Sequence, residues 1–148
     1  MPPTRDYDWS GSIGAQWEAA NALVIYTEGR KEEGLRLLDD AAAHEDSVDK
    51  HPVTPGALLP AREILADLLM ERSPGAALTE YEAVLKTAPR RFHSLAGAAK
   101  AADLAGDAPK ARAYAIAVRD LTKDAETPRP ELEWVRTYLA RNRIALGR

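Results

Sequence analysis

The sequence predicts an all-α chain, and three observations lead there. Hydrophobic residues make up 45% of the chain and are mainly alanine and leucine, a composition suited to close-packed helices. Apolar residues recur at helical spacing, as in Leu78, Tyr81, Val84 and Leu85. β-Branched residues are scattered and never alternate with polar ones over a useful length, so strand signals are nearly absent. The nine glycines and ten prolines fall mostly between the periodic segments, where they punctuate helices. A length of 148 residues is enough for one domain with its own core.

Taken in order, residues 1–11 are polar and carry Pro2, Pro3 and Gly11, so a frayed or disordered start is expected, followed by a single helical domain over 12–148. A first helix is expected from about Ser12 to Glu28, with Trp17, Asn21, Ala22, Val24 and Ile25 as its packing side. Gly29 closes it. The second helix runs from Lys31 to about His44 through Leu35, Leu38, Ala41 and Ala42. Gly34 is costly inside a helix, by about 1 kcal/mol relative to alanine, unless the two helices approach closely there. A long loop, 45–59, follows. Loops of that length in compact domains are usually functional or disordered, and Pro52, Pro55, Val53, Leu58 and Leu59 point to a packed one.

Pro60 suits the first residue of a third helix that reaches about Arg72. Ser73 and Pro74 supply the N-cap and first residue of a fourth, which Pro89 limits. A fifth helix spans Arg90 or Arg91 to Ala105, and Gly106 ends it. Asp107 caps a sixth carrying Ala111, Tyr114, Val118 and Leu121. Thr127-Pro128 opens a seventh, expected over 127–146. Its stripe of Leu132, Val135 and Leu139 should lie on the sixth helix, with Trp134 and Tyr138 at the edge and Arg136, Arg141 and Arg143 outside.

A period underlies these elements. Ala111 follows Ala77 by 34 residues, whereas Ala77 follows Gly34 by 43, nine more, which measures the long loop. Small residues pair across each turn: Ala22 with Gly34, Ala66 with Ala77, and Ala99 with Ala111, at separations of 12, 11 and 12. Leu38, Tyr81 and Ala115 share one position, and only the middle unit keeps a closing proline, Pro89. This pattern resembles the tetratricopeptide repeat family over about Gln16 to Lys123, in units of about 12–46, 60–89 and 90–122. The resemblance implies a right-handed α-α superhelix, a solenoid of three helix-turn-helix units plus a C-terminal capping helix. It also implies a non-enzymatic scaffold that binds a protein or peptide segment on its concave face. More narrowly, Lys50 to Gly56 and Leu59 to Glu63 look like a segment from the C-terminal part of uncharacterised bacterial tetratricopeptide proteins. That likeness implies a fragment or short relative and supplies no activity.

Net charge is −3, split as −6 over residues 1–59 and +3 over 60–148, which argues against a general nucleic-acid binder. Without cysteine, disulfides, thiolate metal sites and cysteine nucleophiles are excluded. Residues 1–12 have no signal-peptide pattern, so the cytoplasm is the default expectation. No apolar run approaches the length of a membrane span.

In a repeat array the first helix of each unit lines the concave groove. Helical spacing then nominates Tyr26 from the first helix, Glu63, Asp67 and Met70 from the third, and His93, Lys100 and Asp103 from the fifth. His51 joins them, because Pro52 forces an extended backbone that could turn its imidazole towards Glu63 or Asp67. The plainer account of these residues is a solvated helix face. His44, Glu45, Asp46, Asp49 and His51 include plausible metal ligands but lack any strong ligand spacing, so no metal and no cofactor are expected. Catalysis has little support: there is no glycine-rich phosphate loop and no serine in an elbow context. Two other readings stand beside the scaffold. One is a small-molecule or metal site, with or without enzymatic activity, where loop 45–59 meets the groove. The other is a structural segment of a longer array, favoured if the first helix exposes an apolar side for missing upstream repeats.

Overall fold

A computed structural model describes residues 9–48, 57–125 and 127–142. Those residues form seven α-helices and no strand. The chain divides into two compact units, 1–65 and 66–148, and the division falls inside the third helix.

In the first unit, α1 (Trp9–Thr27) and α2 (Lys31–Ser47) pack along their whole lengths as an antiparallel hairpin. Gly29 turns the chain between them at φ +97°, a conformation that L side chains rarely adopt. The contact is made by small residues. Ala15, Ala19 and Ala22 of α1 are buried, as are Gly34, Leu38, Ala41 and Ala42 of α2. At Gly34 the helices come so close that an added Cβ would lie 2.7–2.8 Å from Tyr26, mostly against its backbone. Gly11 and Gly14 continue the small face towards the side chains of Val48 and His44.

This packing corrects the expected first helix in two ways. The helix begins at Trp9 rather than Ser12, because Gly11 is a contact residue against α2 and not a breaker. Its packing side is the alanine stripe, so Trp17 and Val24, expected inside, are 68% and 54% exposed. The second helix is also longer than expected and takes in Glu45, Asp46 and Ser47, the first residues assigned to the loop. Positions 49–56, including His51, lie outside the described residues.

Helix α3 (Ala61–Leu69) starts one residue after Pro60, whose carbonyl accepts from the amides of Glu63 and Ile64. Its entry is tied back to α2: the Ala61 amide donates to Glu45 at 3.2 Å, and Arg62 pairs with Asp46.

The second unit holds the end of α3 with α4 (Pro74–Thr87), α5 (Phe92–Ala105), α6 (Ala108–Leu121) and α7 (Pro130–Arg141). Consecutive helices from α4 to α7 pack on each other, and α7 also touches α5. Helix α5 is the centre of this unit. It buries Ser94, Leu95, Ala96, Ala98, Ala99 and Ala101 among others, nearly all round, which explains its alanine content. Gly106 (φ +80°) ends α5, and the Asp107 amide reaches back to the Ala102 carbonyl at 2.8 Å. The Asp107 carboxylate then caps α6 by accepting from the Lys110 amide at 3.1 Å. Ser73 occupies the N-cap position of α4, with Pro74 as first helical residue, but its side chain makes no cap bond.

Helix α7 starts three residues later than expected, because the second proline of Thr127-Pro128-Arg129-Pro130 is the one that opens it. Arg129 is extended (φ −139°, ψ 141°), as a residue before proline prefers to be. Leu132, Val135 and Leu139 are buried, and Tyr138, expected at the edge, is buried with them at 5% exposure. Positions 143–148 lie outside the described residues.

Candidate functional site

Of the groove residues nominated from the sequence, Asp67 and His93 come together in the second unit. His93 Nε2 lies 3.0 and 3.1 Å from the two Asp67 carboxylate oxygens. Its Nδ1 lies 3.7 Å from Glu131 on α7. The Tyr81 hydroxyl also donates to Asp67, and the Tyr81 and His93 rings meet edge to face at 6.4 Å. The two imidazole nitrogens thus face carboxylates from two different helices, α3 and α7.

Asp103, two turns or more along the same helix, accepts from Arg141 of α7 at 3.0 and 3.1 Å. The two contacts fix the direction of α7. Glu131 meets the start of α5 and Arg141 meets its end, so the helices run side by side in the same direction. Arg141 is exposed, and from there its side chain reaches across to α5. Its guanidinium also lies 5.4 Å over the Tyr138 ring. Burial pushes the Tyr138 phenol above its ordinary pKa, and the Asp103 charge adds to that.

The other nominated residues are dispersed. Met70 packs against the core of the second unit, and Lys100 is exposed on α5. Tyr26 belongs to the first unit, where the Lys31 ammonium sits 5.7 Å from its ring centre. Glu63 is fully buried in the part of α3 that belongs to the first unit. Tyr81, Glu131 and Arg141 were missed by sequence reasoning, since nothing in their local pattern announces a partner on another helix.

The acidic end of α2 is structural. His44 pairs with Glu18 of α1 at 2.8 Å, while Glu45 and Asp46 hold the start of α3. Among the described residues, no group of three or more His, Asp or Glu side chains could hold a metal ion. None of the described helices is long and apolar enough to cross a membrane.

Two further surfaces stand out. A cleft of about 300 Å3 in the second unit is lined by Phe92, Leu121, Thr122, Ala125, Thr127, Arg129 and Leu132. The Arg129 guanidinium lies 5.3 Å over the Phe92 ring, and the Thr122 hydroxyl donates to the Val118 carbonyl. Among the described residues, the lining of the cleft includes no carboxylate or imidazole. The other surface is the outer face of α1. Trp9, Ile13, Trp17 and Val24 are 54–68% exposed and fall within one helical stripe. Glu18 is the one charged residue in the 19 of α1, and it is turned to His44.

Comparison of the chain with protein families, curated proteins and solved structures finds no match. The functional reading therefore rests on the surfaces themselves.

Proposed function

We propose that the chain is a non-enzymatic, tetratricopeptide-like scaffold that binds a protein segment. The exposed apolar face of α1 carries the protein-binding reading, whether its occupant is a separate protein or, as in a structural segment of a longer array, a neighbouring repeat. Contiguous apolar surface with two tryptophans costs free energy in water, and on folded proteins it marks interaction sites. Tryptophan is also among the residues most enriched at binding hot spots. Buried small residues after each turn, Gly34, Ala77 and Ala111, support the repeat reading, as does α7 running alongside α5. The polar residues first nominated for a groove are less suited to a partner, because α7 already engages His93 and Asp103.

Site-specific photo-cross-linking in the native host tests this reading. A benzophenone side chain replaces Ala20, which lies exposed within the stripe, or Arg36 on the outer side of α2 as a control. A protein adduct from position 20 and not from position 36 is expected. No adduct from position 20 would overturn the reading.

A further inference from the structure

We propose that the partner of the α1 face is a second copy of the chain, joined by antiparallel pairing of the two α1 helices; this rests on the protein-binding reading above. Side-chain sizes are complementary across such a pair. In an antiparallel pair centred between Gln16 and Trp17, Trp9 of each copy meets Val24 of the other, and Ile13 meets Ala20. Large side chains then oppose small ones, as knobs-into-holes packing requires. A parallel pair would set tryptophan on tryptophan and valine on valine, and would align the two helix dipoles.

The absence of charge on the exposed side of α1 also suits a second copy. A foreign helix is normally selected by charges flanking the apolar seam. Here the exposed residues between Trp9 and Thr27 are uncharged, and Gln16 and Asn21 are amides that both donate and accept. Such a face neither selects an opposite charge nor repels its own copy.

The exposed apolar area matches what a small dimer interface needs. Two tryptophans, an isoleucine and a valine at 54–68% exposure leave on the order of 500 Å2 of apolar surface per copy. Pairing would bury roughly 1,000 Å2 in total, about the lower bound of a specific interface.

Sedimentation equilibrium on the full chain tests the proposal. Dimer should form with rising concentration, and Trp17→Glu should raise the dissociation constant by about tenfold or more. Lys86→Glu, on α4, should leave it unchanged. Circular dichroism at 222 nm should stay the same in both variants, since Trp17 and Lys86 are exposed. The chain has no cysteine, so single introduced thiols report the register. Gln16→Cys, beside the two-fold axis, should oxidise to a disulfide dimer. Thr27→Cys should not, because its two copies would lie about 30 Å apart.

A monomer at every concentration overturns self-association. If the position-20 adduct to another protein persists in that case, the scaffold reading survives it; if the adduct is also missing, both fall. A dimer that Trp17→Glu leaves intact, or equal cross-linking from both thiols, overturns the proposed pairing.

Discussion

Gly97 of α5 lies against the ring of Tyr81 from α4 so closely that a Cβ on Gly97 would overlap it. The ring cannot easily give way. It is 1% exposed, and its hydroxyl is held by Asp67. Gly97→Ala is therefore expected to destabilise the chain by roughly 1–3 kcal/mol through overpacking, although alanine is the better helix former by about 1 kcal/mol. Tyr81→Phe removes only the hydroxyl and should cost about 0.5–1.5 kcal/mol. Urea unfolding measures both. A Gly97→Ala variant as stable as the parent would mean that the ring is free to move.

The same physics separates two other glycines. A Cβ on Gly34 meets the backbone of Tyr26, which cannot rotate aside, whereas a Cβ on Gly75 meets nothing within 4 Å. Gly34→Ala is expected to prise α1 from α2 and lower the melting temperature. Gly75→Ala, in the first turn of α4, should leave stability unchanged or raise it by up to about 1 kcal/mol. Equal effects from the two substitutions would show that the α1–α2 approach does not depend on a missing side chain.

Gly34 was legible in the sequence because a close approach of two helices is a reason for a glycine inside one of them. Gly11 and Gly97 had no such frame, and the first was read as a break. The inner face of α1 was misread for a related cause. Ranking by hydrophobicity put Trp17 and Val24 inside, but the close approach at Gly34 leaves room only for Ala15, Ala19 and Ala22. Helix ends at Gly29, Pro74 and Gly106 followed directly from backbone chemistry. The start of α7 did not, since two prolines in Thr127-Pro128-Arg129-Pro130 could each have opened it. At the candidate site, Asp67 and His93 were nominated from helical spacing. Their other partners, Tyr81 and Glu131, come from helices whose mutual placement only packing decides.

Tyr114 should titrate abnormally. Burial pushes its phenol up to about 12, and the hydrogen bond it donates to Glu82 at 2.8 Å adds to the effect. Because the folded pKa lies above the ordinary value near 10, the unfolded chain ionises first as pH rises. The stability that Tyr114 contributes is thus complete below pH ~10 and is lost as pH rises towards ~12. Glu82→Gln should bring the phenol down part of the way, since burial is the larger cause. Ultraviolet difference titration of the parent against Tyr114→Phe reads the value. A transition near pH 10 assigned to Tyr114 would contradict the partly buried, hydrogen-bonded phenol.

The attachment of α7 offers a test of which forces hold the second unit together. Two kinds of contact are present. Glu131 and Arg141 reach His93 and Asp103 through side chains that are one-third to three-fifths exposed. Leu132, Val135 and Leu139 are buried in one core with Ala111, Ala115 and Val118 of α6. Exposed ion pairs usually contribute no more than about 1 kcal/mol and are screened by salt. Removing a fully buried leucine usually costs about 2–5 kcal/mol. Asp103→Ala and Arg141→Ala should therefore each change stability by less than about 1 kcal/mol, with a coupling in the double mutant of the same small size. Leu139→Ala should cost at least twice as much. Deleting the chain from Thr127 onward would uncover the α6 surface and should produce dye binding and aggregation. If the deletion instead stays monomeric with an unchanged unfolding midpoint, α7 is an appendage, and the parallel seating of α7 on α5 lends no support to the repeat reading.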